Sequence, residues 1–212
     1  MLLSTAYFPP LEWFALAARD MTLSPDRVLP SCVELEAFEN YQKQSYRNRC
    51  YIIAGDGVQM LQVPVVHGAD MGIRSVLVDY STPWVVRSER ALSTAYETSA
   101  YFHYYKEELF RIMESGMPTL WELNLELIRW CLKETGIAAS LSPTVSFRKE
   151  AEEDFRYVIH PKKSNDILEG LGLGKPYYQV FRDRMGSFTK GLSILDLLFN
   201  EGPDSILWLK KL

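Results

Sequence analysis

Leu2-Leu-Ser-Thr-Ala6, Tyr7-Phe-Pro-Pro10 and Leu11-Glu-Trp-Phe-Ala-Leu-Ala-Ala18 follow one another without a gap. The first segment reads as a strand, the second as a rigid turn and the third as a helix with apolar periodicity. Proline at a helix start is not penalised, because the missing amide would have no intrahelical partner, and Glu12 puts negative charge where the helix dipole favours it. Strand-like pieces at Met21-Thr-Leu23 and Val28-Leu29 follow, so the first thirty residues form a βαβ-like unit. Such a unit sets the helix N-terminus at the carboxyl end of the first strand, where open α/β sheets place their ligands. The first free amides of that helix could hold a phosphate or carboxylate. Against this, the turn has no glycine and its two prolines remove donors, so a rigid corner packed on Trp13 and Phe14 is an equal reading.

Further along, Glu39, Lys43 and Arg47 recur every four residues, which suits a solvated helix held by ion pairs worth only ~0.2–0.5 kcal/mol each. From Cys50 to Val66 the pattern turns β-branched and alternating around Gly55-Asp-Gly57, the signature of a hairpin. Residues 75–80 read as another strand. Residues 83–115 and 120–134 read as helical, with Gly116-Met-Pro118 between them and Gly136 after, and Leu120, Leu123, Leu127 and Trp130 on one core face. Short strands are expected at 141–147 and 177–181, and a final helix at 193–200. The class is therefore α/β: a βαβ-like N-terminal unit with a mixed sheet and a helical middle segment, in one domain spanning 1–212.

The 212 residues suffice to bury roughly 70% of the unfolded surface. With 47% apolar and 24% charged residues the chain is expected to fold, and a net charge of −4 argues against nucleic acid as a partner. No run of 18 apolar residues is present to span a membrane, and the N-terminus lacks the charged start of a signal peptide. Cys32, Cys50 and Cys131 are odd in number and widely spaced, which suggests neither a disulfide framework nor a cysteine metal site and fits the cytoplasm. The acidic run 150–154 reads as a solvated loop or helix start rather than a metal site.

Donors are concentrated in Tyr41-Gln-Lys-Gln-Ser-Tyr-Arg-Asn-Arg49. Lys43, Gln44, Arg47, Asn48 and Arg49 suit an anionic small molecule or an activated sugar. If the segment is extended, Arg47 and Arg49 share a face and can clamp an anion; if it is helical they diverge by about 200°. Arg47 would then serve an ion-pair network with Glu34, Glu36 or Glu39. His67, His103 and His160 lack the four-residue spacing of a helical zinc site, no nucleophile elbow or phosphate loop is present, and no motif names a cofactor. His103 is a candidate general acid or base, with a structural histidine as the alternative. On the final helix Ser193, Asp196 and Asn200 share one face of an otherwise apolar segment. Asp196 is the other catalytic candidate, and is expected either to reach Arg47 or Arg49 or to form a structural bridge.

Four ordered motifs resemble the WbqC-like proteins of bacteria over nearly the whole chain: Tyr7-Phe-Pro-Pro-Leu-Glu-Trp-Phe14, the Glu36–Arg49 run, Leu61-Gln-Val-Pro-Val65 and Ser193-Ile-Leu-Asp-Leu-Leu-Phe-Asn200. The resemblance joins Tyr7, the arginine cluster and Asp196 into one expected site. It also implies a cytoplasmic role in surface-glycan assembly. One expectation is a transferase acting on an activated sugar or a small carboxylate or amine; the other is a non-catalytic binding or scaffold protein. Two departures from the family pattern stand out. Ser4-Thr-Ala6 replaces the usual Gln-Pro-Asn, and Tyr157-Val-Ile-His-Pro161 occupies the region where longer members carry Tyr-Ile/Leu-Ser-Gly.

Overall fold

A computed structural model describes residues 1–24, 27–66 and 71–210. The chain runs β1 (Leu2–Leu3), α1 (Leu11–Arg19), β2 (Thr22–Ser24), β3 (Arg27–Leu29) and β4 (Ser31–Leu35), followed by β5 (Arg49–Ala54) and β6 (Gly57–Gln62). Three helices come next, α2 (Trp84–Tyr96), α3 (Phe102–Met113) and α4 (Leu120–Glu134), then β7 (Ala139–Pro143). The last quarter holds the short α5 (Ile167–Gly170) and α6 (Arg182–Met185), then α7 (Ile194–Glu201) and α8 (Ser205–Leu209).

Strands β1, β4 and β7 form a parallel sheet in that order, with Leu3 opposite Leu35 and Ser31 opposite Ala139. The α/β class and the βαβ unit are thus present, with α1 and the β2–β3 hairpin in the crossover. Helix α1 is sunk in the core. Leu11 and Trp13 through Ala18 are all buried, and its small alanines permit an approach close enough for the Ser31 hydroxyl to donate to the Ala17 carbonyl at 2.5 Å. The antiparallel pairing lies in separate ladders, β2–β3 and β5–β6. The latter closes on Gly55-Asp56, and Gly57 sits at φ +128°, a region closed to residues with a Cβ.

The helical middle holds three helices. The 83–115 run breaks at 97–101, where Ser99 donates to the Tyr96 carbonyl instead of continuing the helix. A capping box of Thr119 and Glu122 starts α4, Gly136 follows it at φ +71°, and Leu120, Leu123, Leu127 and Trp130 are core.

Three expectations about local structure need correction. Residues 36–48 are not a helix but an irregular loop, and β4 lies just before it. Residues 75–80 make a 3-10 turn at Ile73–Ser75 and isolated bridges, Leu77 to Thr119 and Val78 to Val65, rather than a strand. Residues 177–181 join no ladder; Tyr177 and Gln179 are turned inward to the same carboxylate.

Candidate functional site

Tertiary charge pairing explains the loop at 36–48. Arg47 is 2% exposed and pairs with Glu39, 1% exposed, through contacts of 2.5 and 3.2 Å, and also donates to Ser4 Oγ at 2.6 Å. Arg156 is equally buried and pairs with Glu36 at 2.9 Å and with Asp154 at 2.5 Å. Glu36 accepts further from Thr144 Oγ1 and the Arg148 amide. Buried charges require such closure, and it is available only if the loop leaves helical geometry. Of the expected ligand contacts, Arg47 is thus committed to Glu39 and Ser4. Asn48 donates to the Val63 carbonyl at 2.8 Å. Arg49 opens β5 half-buried beside Tyr41.

Lys43 and Gln44 are exposed, and Gln44 accepts from the Lys162 ammonium while its backbone takes φ +58°. Tyr7 is fully buried against Phe8 and Trp84, and burial holds its phenol well above the usual range. Phe8, fully buried and followed by Pro9 and Pro10, stands at φ +44°, an expensive conformation for a bulky residue.

The catalytic candidates lie elsewhere. His103 is exposed beside Glu97 at 3.3 Å. Asp196 is buried in α7 and accepts from Tyr96 (2.9 Å), Tyr177 (2.6 Å) and Gln179 (2.9 Å), with neither Arg47 nor Arg49 among its partners. Desolvation raises its pKa despite these three donors. The expected meeting of Asp196 with the arginines does not occur: Asp196 is satisfied by Tyr96, Tyr177 and Gln179, Arg47 by Glu39 and Ser4, and the Arg49 Nε is buried with no hydrogen-bond partner among the described residues. His67 lies outside the described residues. Among the described residues no group of three or more His, Cys, Asp and Glu could hold a metal ion. No helix among them is long and apolar enough to cross a membrane.

The three segments nevertheless converge through their backbones. The Tyr7 amide donates to the Tyr46 carbonyl at 2.9 Å, Ile194 N–H to the Pro9 carbonyl at 3.0 Å, and Ser193 N–H to the Tyr51 carbonyl at 2.8 Å. Where they meet, a cleft of about 440 Å³ opens. Its walls include Glu12 and Pro10 at the start of α1, Tyr46, Tyr51, and His160, Lys163, Asn165 and Lys190 from the last third of the chain. The helix N-terminus thus does face a cavity, as the βαβ reading requires.

Glu12 is the chemically distinctive group. Its Oε2 is buried with no hydrogen-bond partner among the described residues, and its pKa is raised, chiefly by burial and then by Glu169, against the lowering effects of its own amide and Lys190. Burial also raises the Tyr46 phenol, with Glu12 adding to the effect, so Tyr46 stays protonated. His160 is displaced the other way, its pKa lowered by desolvation and by Lys163, Arg47 and Lys162. Because its Nδ1 accepts from the Lys162 amide at 3.1 Å, the neutral ring carries its proton on Nε2. A carboxyl group with a raised pKa, phenol and imidazole donors and two ammonium groups can bind an anion and exchange a proton with it. Tyr46 and Tyr51, edge to face at 6.1 Å, supply flat apolar surface for a ring.

In the sequence Glu12 reads only as a helix-start charge. The available signal was a lone carboxylate in a segment otherwise apolar from Leu11 to Ala18. Lys163, Asn165 and Lys190 carried no local signal.

Comparison with known proteins agrees with the resemblance read from the motifs. The chain is 28% identical over 189 residues to the "Uncharacterized protein Rv1507c" of Mycobacterium tuberculosis (strain ATCC 25618 / H37Rv), a match that covers 78% of this chain and 81% of that protein. No solved structure matches. The model of the WbqC-like protein family matches residues 6–172, and the chain belongs to that family.

Proposed function

We propose that the cleft binds an anionic small molecule, of the class of sugar phosphates, activated sugars or small carboxylates, and that Glu12 exchanges a proton with it. The observation that carries this reading is the Glu12 carboxyl at the wall of a 440 Å³ cleft, its Oε2 buried with no hydrogen-bond partner among the described residues and its pKa raised. A carboxylate so placed destabilises the fold at neutral pH, which a purely structural role does not explain. Lys163 and Lys190 offer charge to the anion. The Lys190 ammonium pairs at 2.6 Å with an exposed Glu169, a contact of little worth that a ligand displaces readily.

In a transfer reaction Glu12 would accept the proton of an attacking hydroxyl or amine, while the Tyr46 hydroxyl and the His160 Nε2–H donate to developing negative charge. With the family resemblance, this favours a cytoplasmic transferase in surface-glycan assembly. The second reading, a binding protein without turnover, is favoured by the fully closed partner set of Asp196, which leaves it no part in proton exchange at the cleft. We also read residues 1–212 as one WbqC-like domain, since α7, beyond the family match, packs on α1 and β5.

The test is a thermal-shift panel of nucleotide sugars, sugar phosphates and small carboxylates. A ligand at a hundredfold excess over Kd adds about 2.7 kcal/mol, or roughly 5–11 °C for a chain of this size. Lys163→Ala with Lys190→Ala should abolish the shift, whereas Glu12→Gln should keep it and, if the protein is an enzyme, lose turnover. No shift with any compound, or a shift unchanged in the double lysine variant, overturns the reading.

A further inference from the structure

A second, more enclosed cavity of about 80 Å³ adjoins the cleft, and the two share Glu12, Asn165, Lys190 and Gly191. Their chemistry differs. The outer cleft is lined by lysines, a histidine and two tyrosines, whereas the inner cavity takes most of its own lining from Leu11, Leu168, Leu173, Phe188, Leu197 and Trp208, with Glu169 and Lys175 also on its wall. The inner wall also includes Tyr177, but its hydroxyl is already spent on Asp196 at 2.6 Å, and Gln179 Nε2 lies at 3.4 Å from it. Asp196 therefore masks a phenol that would otherwise call for a polar guest.

Resting on the proposed anion site in the cleft, we propose that the ligand is amphipathic, with its anionic end in the outer cleft beside Lys163 and Lys190 and a short unbranched aliphatic segment in the inner cavity. A dry cavity of ~150 Å³ lined by Leu, Ile and Phe takes benzene. A space about half that size takes about three carbon atoms, the length of a short acyl or alkyl group. Glu12 stands where the two spaces join and so faces the atoms that connect the polar end of the ligand to its apolar end. This placement fits a carbonyl, ester or amide junction there, and it explains why one carboxylate stands among apolar residues at the start of α1.

The test uses the full chain and isothermal titration with inorganic phosphate and methyl, ethyl, propyl, butyl and hexyl monophosphate. Kd should fall about fourfold per added carbon, the equivalent of ~0.8 kcal/mol per buried methylene, then level off or rise beyond propyl or butyl. Leu168→Trp, which fills the inner cavity, should flatten the series while methyl phosphate binds as before. A flat series in the unmodified protein with methyl phosphate still bound overturns the inner subsite and leaves the cleft reading intact. A chain-length gain that survives Leu168→Trp overturns the location. Failure of every compound to bind overturns both readings, and none of the measurements on the unmodified protein depends on a variant folding.

Discussion

Removing the Arg47 side chain separates a structural role from a ligand-binding one. In Arg47→Ala the Glu39 carboxylate, 1% exposed, loses the cation that holds it with contacts of 2.5 and 3.2 Å, and Ser4 Oγ loses a donor at 2.6 Å. Breaking one side of a buried pair costs about 3–5 kcal/mol, because the remaining charge stays desolvated. At roughly 2–4 °C per kcal/mol for a chain of this length, the melting temperature should drop by about 6–20 °C. The companion double variant, Arg47→Met with Glu39→Leu, removes both charges and keeps the volume, and such replacements are often neutral or stabilising. It should therefore recover most of the loss. Urea unfolding of the unmodified chain, Arg47→Met, Glu39→Leu and the double variant, read by tryptophan fluorescence, gives the coupling directly, with Arg47→Ala measured beside them. If Arg47→Ala stays within about 1 kcal/mol of the unmodified chain and the double variant is no better, the guanidinium is not a structural partner of Glu39, and the anion-clamp reading of Arg47 regains its force.

Three further outcomes are expected. Glu12→Gln should raise the melting temperature at pH 8 by about 2–4 °C, on the order of 1 kcal/mol. The carboxyl's folded pKa is raised, so its contribution favours the fold below the unfolded value and is lost as pH rises through the folded one; the gain should vanish near pH 4, and an equal gain at pH 4 and 8 sinks the assignment. Tyr177→Phe takes one donor from buried Asp196 and should cost about 1–3 kcal/mol by chemical denaturation, whereas a neutral effect would mean that Asp196 is satisfied without it. Gly202→Ala should cost more than about 1 kcal/mol, since the backbone there has φ +56° and a Cβ would lie 2.5 Å from the Tyr101 ring; an unchanged unfolding midpoint contradicts that geometry.

Elements set by their own residues were legible in the sequence. Pro10-Leu-Glu12 starts α1, Gly55-Asp-Gly57 turns the β5–β6 hairpin, and the Leu120–Trp130 face is core. The 36–48 loop was not legible, because the local helix preference of Glu39, Lys43 and Arg47 amounts to tenths of a kcal/mol. Buried pairing outweighs it: Glu39 meets Arg47 across eight positions of loop, and Glu36 meets Arg156 across 120. The candidate site was half legible. The Tyr7 turn, the Tyr41–Arg49 segment and Ser193 do converge, but through main-chain bonds, and the cleft they frame is completed by His160, Lys163 and Lys190, which only the long-range fold brings there. The two family departures lie close to these features. Ser4 is a partner of Arg47, and His160 and Pro161 line the cleft.

The parallel sheet also bears on how the chain is made. Strand β4 takes β7 as its second neighbour, with Ser31 opposite Ala139, so 108 positions (139 − 31) separate the two. The Leu2 amide likewise donates to the Glu153 carbonyl at 2.8 Å, and Glu36 awaits Arg156. During synthesis at ~5–20 residues per second, β4 and the Glu36 carboxylate that follows it therefore stand complete but unmatched for roughly 5–25 seconds. Over that interval an open strand edge and an uncompensated acid keep the N-terminal unit from closing its core. Folding is thus a late event that depends on residues 139–156, and truncation before them should leave a nascent chain that chaperones hold rather than a folded βαβ module.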